Sequence, residues 1–269
     1  MITSDFLTEV LRIKRAQLAR WGSRLNLGHS QRQAQIARDV AKPHALAAVL
    51  GRKERVNIIA EIKRASPSQG VIRAEIDPEE IAVAYSRAGA AAISVLTDEH
   101  FFHGSLDDLH RFRGAVSIPI LRKDFIIDPY QVYETAIAGA DALLLSAALL
   151  TDELLASLRR ITEEELGMDA MIEVQSLTEM RRAHAVGATL VGVNNRNLST
   201  FEMSIETSIA LASKAPAGMV LVSKGGLSTG KHLRALQALG FKGFMIGEFL
   251  LRSDRPDRTL EKLIQDAQS

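Results

Sequence analysis

Glu61 and Lys63 stand two residues apart inside an isoleucine-rich run, Asn57-Ile58-Ile59-Ala60-Glu61-Ile62-Lys63, just ahead of Ser66-Pro67-Ser68. A strand alternates its side chains between faces, so this spacing points acid and base to the same side. The apolar run reads as a strand buried on both faces, and the Ser-Pro-Ser cluster as the turn that ends it. A carboxylate and an ammonium there form either a structural ion pair filling an interior or part of an acid–base site. Similar apolar runs farther along end in Lys123-Asp124, Glu173, Asn194-Asn195-Arg196, Lys224-Gly225-Gly226 and Gly247-Glu248. One such group is readily structural. Several in register point to function, because unpaired buried charge is expensive.

Those ends belong to a regular alternation. Strands are predicted over 57–63, 92–97, 118–123, 142–146, 170–174, 190–194, 219–223 and 243–247. Helical patterns fall between them at 78–88, 106–113, 129–138, 151–166, 177–186, 205–214 and 229–239, with a last one near 258–267. Asp77-Pro78-Glu79-Glu80 is a helix start, with Asp as cap and Pro at the first helical position. The phrases Ala88-Gly89-Ala90, Ala138-Gly139-Ala140 and Val186-Gly187-Ala188 are helix stops, where Gly takes the left-handed conformation. Eight strand–helix units at this spacing indicate an α/β fold, a (β/α)8 TIM barrel. A doubly wound open sheet shares the alternation, but no dinucleotide glycine fingerprint follows the first strand.

Ahead of the barrel, 4–21 reads as an amphipathic helix with Phe6, Val10, Ile13 and Leu18 near a 3.6 period. The polar segment 22–42 shows no clear period and reads as a linker or flap; 44–50 reads as a short helix. The expected division is a helical extension over 1–50, lying across the barrel mouth, and a barrel over 51–269, as one domain overall.

In a TIM barrel the active site lies at the C-terminal strand ends, which gathers all the groups named above into one mouth. Gly225-Gly226 with Ser228-Thr229, and Gly247, leave backbone N–H groups free near helix starts, the usual barrel site for a phosphate. Phe102, after the second strand, and Phe125, after the third, suit a substrate with an aromatic ring; ordinary loop packing is the competing explanation. His100, His103 and His110 read as surface loop rather than metal ligands, because no His-X-His stands at a strand end.

The chain has 269 residues, a net charge of +1 and no Cys. Disulfides, Cys–metal sites and thiol nucleophiles are excluded, and the charge gives no sign of a nucleic-acid or membrane surface. The first residues lack a secretory signal pattern, and the most apolar window, 142–150, is far shorter than a membrane span. A cytoplasmic protein is expected, monomeric or weakly self-associating.

Over essentially its whole length the chain resembles the indole-3-glycerol-phosphate synthase family. The resemblance is carried by Ala60-Glu61-Ile62-Lys63-Arg64-Ala65-Ser66-Pro67-Ser68, Phe102-His103-Gly104-Ser105, Leu121-Arg122-Lys123-Asp124-Phe125-Ile126, Ile172-Glu173-Val174 and Gly192-Val193-Asn194-Asn195-Arg196-Asn197-Leu198. It implies a cofactor-free, metal-free lyase acting on a small phosphorylated substrate, 1-(2-carboxyphenylamino)-1-deoxyribulose 5-phosphate. The product is indole-3-glycerol phosphate, released with carbon dioxide and water. By the same resemblance Lys123 is general acid in ring closure and Glu173 the acid–base group of dehydration. Lys63 contacts phosphate or carboxylate and serves as second acid, and Glu61 holds the lysines in place. Asn194 and Arg196 orient the substrate, with Ser66, Phe102, Phe125 and Lys224 as further contacts. Lys63, Gly225, Gly226, Gly247 and Glu248 bind phosphate.

Two adjacent positions depart from the family pattern. Where the family carries Glu-Ser-Gly at the end of the seventh strand, this chain has Lys224-Gly225-Gly226. A cation in place of an anion about 6 Å from Lys123 exchanges roughly 3 kcal/mol of attraction for similar repulsion at an effective dielectric of 20. Unless Lys224 turns away, a lysine pKa in the site is expected to fall. Two other classes therefore stand beside the synthase: a degenerate or repurposed phosphate-binding barrel, and a phosphosugar isomerase, whose barrels typically use the Cys missing here.

Overall fold

A computed structural model describes residues 5–22, 26–198 and 200–269 of the chain. Eight parallel strands close into a barrel: β1 (Ile58–Ile62), β2 (Ala92–Leu96), β3 (Ile120–Lys123), β4 (Ala142–Ser146), β5 (Asp169–Val174), β6 (Leu190–Asn194), β7 (Val220–Lys224) and β8 (Gly243–Ile246). Neighbours in sequence are neighbours in space, and β8 returns to β1 with Ile58 opposite Phe244. Three helices come first, α1 (Asp5–Trp21), α2 (Leu27–Asp39) and α3 (Ala45–Leu50). The outer ring is α4 (Pro78–Arg87), α5 (Glu99–Phe102), α6 (Leu106–Ala115), α7 (Pro129–Ile137), α8 (Asp152–Arg160), α9 (Leu177–Ala185), α10 (Glu206–Ala212), α11 (Gly230–Ala238), α12 (Glu248–Leu251) and α13 (Pro256–Gln268). No helix among the described residues is long and apolar enough to cross a membrane.

Local chemistry explains the alternation. Asp77, Ser105, Asp128, Thr151, Ser176 and Thr229 each cap the helix that follows, accepting a backbone N–H with the side-chain oxygen. Each such cap contributes about 1 kcal/mol. Gly89, Gly139 and Gly187 end helices with φ of 91°, 86° and 81°.

The period of two then sorts the strands' contents. Residues facing out, such as Ile58, Ala60 and Ile62, join the core beneath the helices. Those facing in form a second cluster, in which Ile59, Leu121, Met171 and Val222 meet Leu46, Val49 and Leu50 of α3. Two positions farther along these same faces stand Glu61, Lys123, Glu173 and Lys224. The barrel is thus greasy at its base and charged at its mouth.

The three N-terminal helices occupy three different places, so the extension is not confined to the mouth. Helix α3 plugs the base: its Leu46 and Ala47 N–H groups donate to Asp169 Oδ2 at 2.9 and 3.0 Å, tying it to the start of β5. Helix α2 lies on the flank beside α7. This helix falls where the sequence reads as a linker or flap, and the reason is its packing. Ala34 is its one buried residue, so no apolar stripe exists to be read. Asn26 caps it, and Arg38 anchors it by donating to the carbonyls of Leu166, Ala140, Lys42 and Gly167. The predicted helix at 151–166 also differs: α8 gives way at Ile161–Glu165 to a wider π-helical turn. There the Thr162 hydroxyl donates to the Leu158 carbonyl at 2.7 Å.

Helix α1 does reach the mouth, on a stripe that continues from Phe6 and Val10 to Lys14, all buried. Ile13 and Leu18, expected on that stripe, are only half-buried. Lys14 Nζ pairs with Asp98 Oδ2 at 2.8 Å and Asp124 Oδ1 at 2.6 Å, just beyond β2 and β3. Asp124 also accepts from Thr97 Oγ1 at 2.6 Å and Arg122 at 3.0 Å. Burial pushes the Asp124 carboxyl up, but Arg122 and Lys14 outweigh it and hold the pKa well below the usual carboxylate range.

Leu50→Ala opens a cavity under the barrel and should cost about 2–4 kcal/mol in urea unfolding. Lys14→Met leaves two buried carboxylates short of a partner and should cost about 3 kcal/mol. A depressed carboxyl contributes stability that is full above its unfolded pKa and lost as pH falls toward its folded one. The unaltered chain should therefore weaken below about pH 4, and Lys14→Met should show a shallower acid dependence.

Candidate active site

The charged layer lines a cavity of about 570 Å³ at the C-terminal ends of the strands. Glu61 lies at its floor, with both oxygens engaged. Oε1 accepts from Lys63 Nζ at 2.6 Å, and Oε2 from Lys123 Nζ at 2.5 Å. Burial alone would raise the Glu61 pKa. The Lys123 and Lys63 charges overcome that and hold it far below the ordinary range. This geometry explains Gly247, since a Cβ there would come within 2.7 Å of Glu61 Oε1.

Across the mouth, Lys224 Nζ donates to Glu173 Oε2. The expected repulsion against Lys123 is thus met by pairing: the cation at the end of β7 turns to the carboxylate at the end of β5. Burial pushes the Lys224 pKa down, Glu173 pulls it back, and Lys123 adds to the depression, leaving it below the usual lysine range. Asn195, behind the site, fixes the backbone that carries this lysine. Its N–H donates to the Lys224 carbonyl at 2.9 Å, and its Nδ2 donates to Ser223 Oγ at 3.1 Å and the Gly225 carbonyl at 2.9 Å.

Asn194 Oδ1 accepts from the Arg196 N–H at 3.1 Å, while Arg196 Nη1 donates to Ser68 Oγ at 2.9 Å and the Phe201 carbonyl at 3.2 Å. The Arg196 guanidinium also lies 3.7 Å from Glu248. The rings of Phe102 and Phe125 are 6.1 Å apart and tilted by 44°. Phe6 of α1 meets Phe125 edge-on at 6.1 Å, closing the aromatic wall from above. Gly225 and Gly226 have φ of 89° and 72°, so both residues need the freedom of glycine, and their loop leads to α11.

Glu61, Lys63, Ser66, Phe102, Lys123, Phe125, Glu173, Asn194, Arg196, Lys224, Gly225, Gly226, Gly247 and Glu248 all line this one cavity. The Glu248 carboxylate accepts from Arg252 Nε at 3.1 Å. What it has to offer an anion is therefore main chain. Sequence reasoning missed Phe6, Ser68 and Ser146 in the lining. Ser146 Oγ and Ser66 Oγ are buried there without a hydrogen-bond partner among the described residues. The signal for Ser146 was available: it ends β4 on the inward face, opposite Glu173.

The arrangement can deliver a proton from an ammonium, accept or donate one at a carboxylate, hold an aromatic ring and seat a phosphate on main-chain N–H groups. A model of the indole-3-glycerol phosphate synthase family matches residues 7–263. The indole-3-glycerol phosphate synthase of Carboxydothermus hydrogenoformans is 43% identical over 263 residues, covering 96% of this chain and 99% of its own. That of Polaromonas naphthalenivorans is 39% identical over 263 residues, covering 97% and 98%. The solved 3-hexulose-6-phosphate synthase of Salmonella typhimurium superposes with a TM-score of 0.61 over 78% of this chain and 99% of that one; at 14% identity it speaks for the barrel alone. With a match that runs from α1 into α13 and takes in every charged strand end of the mouth, the chain belongs to the indole-3-glycerol phosphate synthase family.

Proposed function

We propose that this cavity converts 1-(2-carboxyphenylamino)-1-deoxyribulose 5-phosphate to indole-3-glycerol phosphate, with Lys123 and Glu173 as its principal proton-transfer groups. The observation that carries this reading is Glu61 held between Lys63 and Lys123, facing Glu173 across the mouth. An alkylated aniline carbon must attack a ketone, and the developing alkoxide needs a proton. Lys123 is the donor: its ammonium is aimed by Glu61 and lies beside the Phe102–Phe125 wall that takes the aromatic ring. Loss of carbon dioxide restores aromaticity in the six-membered ring. Dehydration then removes a C–H proton and expels the hydroxyl as water, with Glu173 as acid–base group. Each turnover takes one proton from solvent, which recharges Lys123.

Lys63 and Arg196 meet the substrate's anionic ends, and Gly225, Gly226 and Gly247 offer main-chain N–H groups to the phosphate. Asn194 steers Arg196 through the hydrogen bond to its N–H. The degenerate-barrel alternative rested on Lys224-Gly225 standing where the family carries Glu-Ser. Lys224 is paired with Glu173, and the full-length match to the synthase family leaves nothing in favour of that reading.

Incubation with the anilino-deoxyribulose phosphate should produce indole fluorescence, and a folded protein that releases none overturns the assignment. General acid–base groups typically contribute about 10²–10⁴-fold. Lys123→Ala should accordingly lower kcat by about that factor in a stopped-flow assay of ring closure, with KM little changed. Lys63→Ala should act chiefly on KM; a ring-closure rate that survives loss of Lys123 but not of Lys63 would exchange their roles.

A further inference from the structure

Three lysines line the cavity, and they divide unequally between Glu61 and Glu173. Lys63 and Lys123 share Glu61, whereas Glu173 has Lys224 to itself. The Lys224 side chain is 6% exposed and that of Glu173 8%, so the pair faces the cavity with little competition from bulk water. Gly192 on the adjacent strand β6 lies alongside the lysine stem, an added Cβ there standing in ordinary contact 3.8 Å from Lys224 Cδ. The charged groups acting on Lys224 besides Glu173 are Lys123 from β3 and Glu61 from β1. The Glu173 charge in turn helps to raise the pKa of Glu179 on α9, after the larger effect of burial.

We propose that Lys224 and Glu173 work as one acid–base couple in the dehydration step, Lys224 taking the proton from carbon and Glu173 giving one to oxygen. This role rests on the reaction proposed above. In the resting couple Lys224 is an ammonium and Glu173 a carboxylate. The proton between them passes to Glu173, leaving a neutral amine and a carboxylic acid. Glu173 then protonates the hydroxyl on the former ketone carbon, and the C–O bond breaks to release water. Lys224 Nζ removes a proton from the neighbouring carbon, and that C–H electron pair becomes the new C=C bond of the indole. The couple ends as ammonium and carboxylate, ready for the next turnover with no outside proton. Burial and Lys123 both push the Lys224 ammonium toward giving up its proton, which suits an amine that must spend part of the cycle neutral.

A purely structural ion pair would need only the charge, and arginine supplies charge without giving up a proton. Lys224→Arg should therefore stay folded, with a melting temperature near that of the unaltered chain, and still lose about 10²-fold or more in dehydration. Ring closure should survive, so rapid-quench samples should accumulate the ring-closed, decarboxylated hydroxy intermediate. The absence of cysteine allows a second variant, Lys224→Cys, to be alkylated at that one position with 2-bromoethylamine. The resulting thioether amine, a lysine analogue, should recover most of the dehydration rate. Lys224→Arg turning over at the unaltered rate, or a folded aminoethylated variant that recovers nothing, overturns the couple. An unaltered chain that makes no indole-3-glycerol phosphate instead overturns the reaction itself, a result distinct from either.

Discussion

The site depends on one buried carboxylate that two lysines share. Glu61 sits at the floor of the mouth with an ammonium on each oxygen, and removal of either lysine would leave one buried oxygen without its partner. The attraction therefore fixes both lysines without any contact between them. It also ties β1 to β3 across the barrel interior, so the catalytic geometry is held by the cylinder rather than by a loop. Gly247, just beyond β8 on the other side of β1, completes the arrangement by leaving no side chain in the way.

A second compensation runs in parallel on the other side of the mouth. Lys224 and Glu173 balance each other as the Glu61 cluster balances itself, and the resulting layer holds charge of both signs in alternation around the ring. The hydrophobic layer directly beneath it, with Ile59, Leu121, Met171 and Val222, keeps water from reaching the pairs from below. Low solvent access strengthens each interaction and makes each lost partner more costly.

Much of this was legible in the sequence because strand periodicity is rigid. A spacing of two puts Ile59 and Glu61, or Leu121 and Lys123, on one face whatever surrounds them, so the mouth could be assembled from strand ends alone. Three features escaped for physical reasons. Helix α2 is held by Arg38 and main-chain carbonyls rather than by an apolar stripe, and hydropathy has no access to such contacts. Lys14 continues the buried face of α1 at the i+4 spacing from Val10, but a lysine at that position reads as solvent-facing until its two aspartates are known. The partner of Lys224 was likewise beyond reach: charge can be counted along a chain, whereas the direction in which a flexible four-carbon stem turns is decided by what lies across the barrel.

Helix α1 also bears on how the protein can be handled. Its Phe6 edge forms part of the cavity lining, so anything joined ahead of α1 is delivered to the rim through which substrate passes. The last helix, α13, packs on α11 and α4 on the outer wall instead. A purification tag, a fluorophore or a surface tether belongs on that side, where it would add bulk without narrowing the entrance.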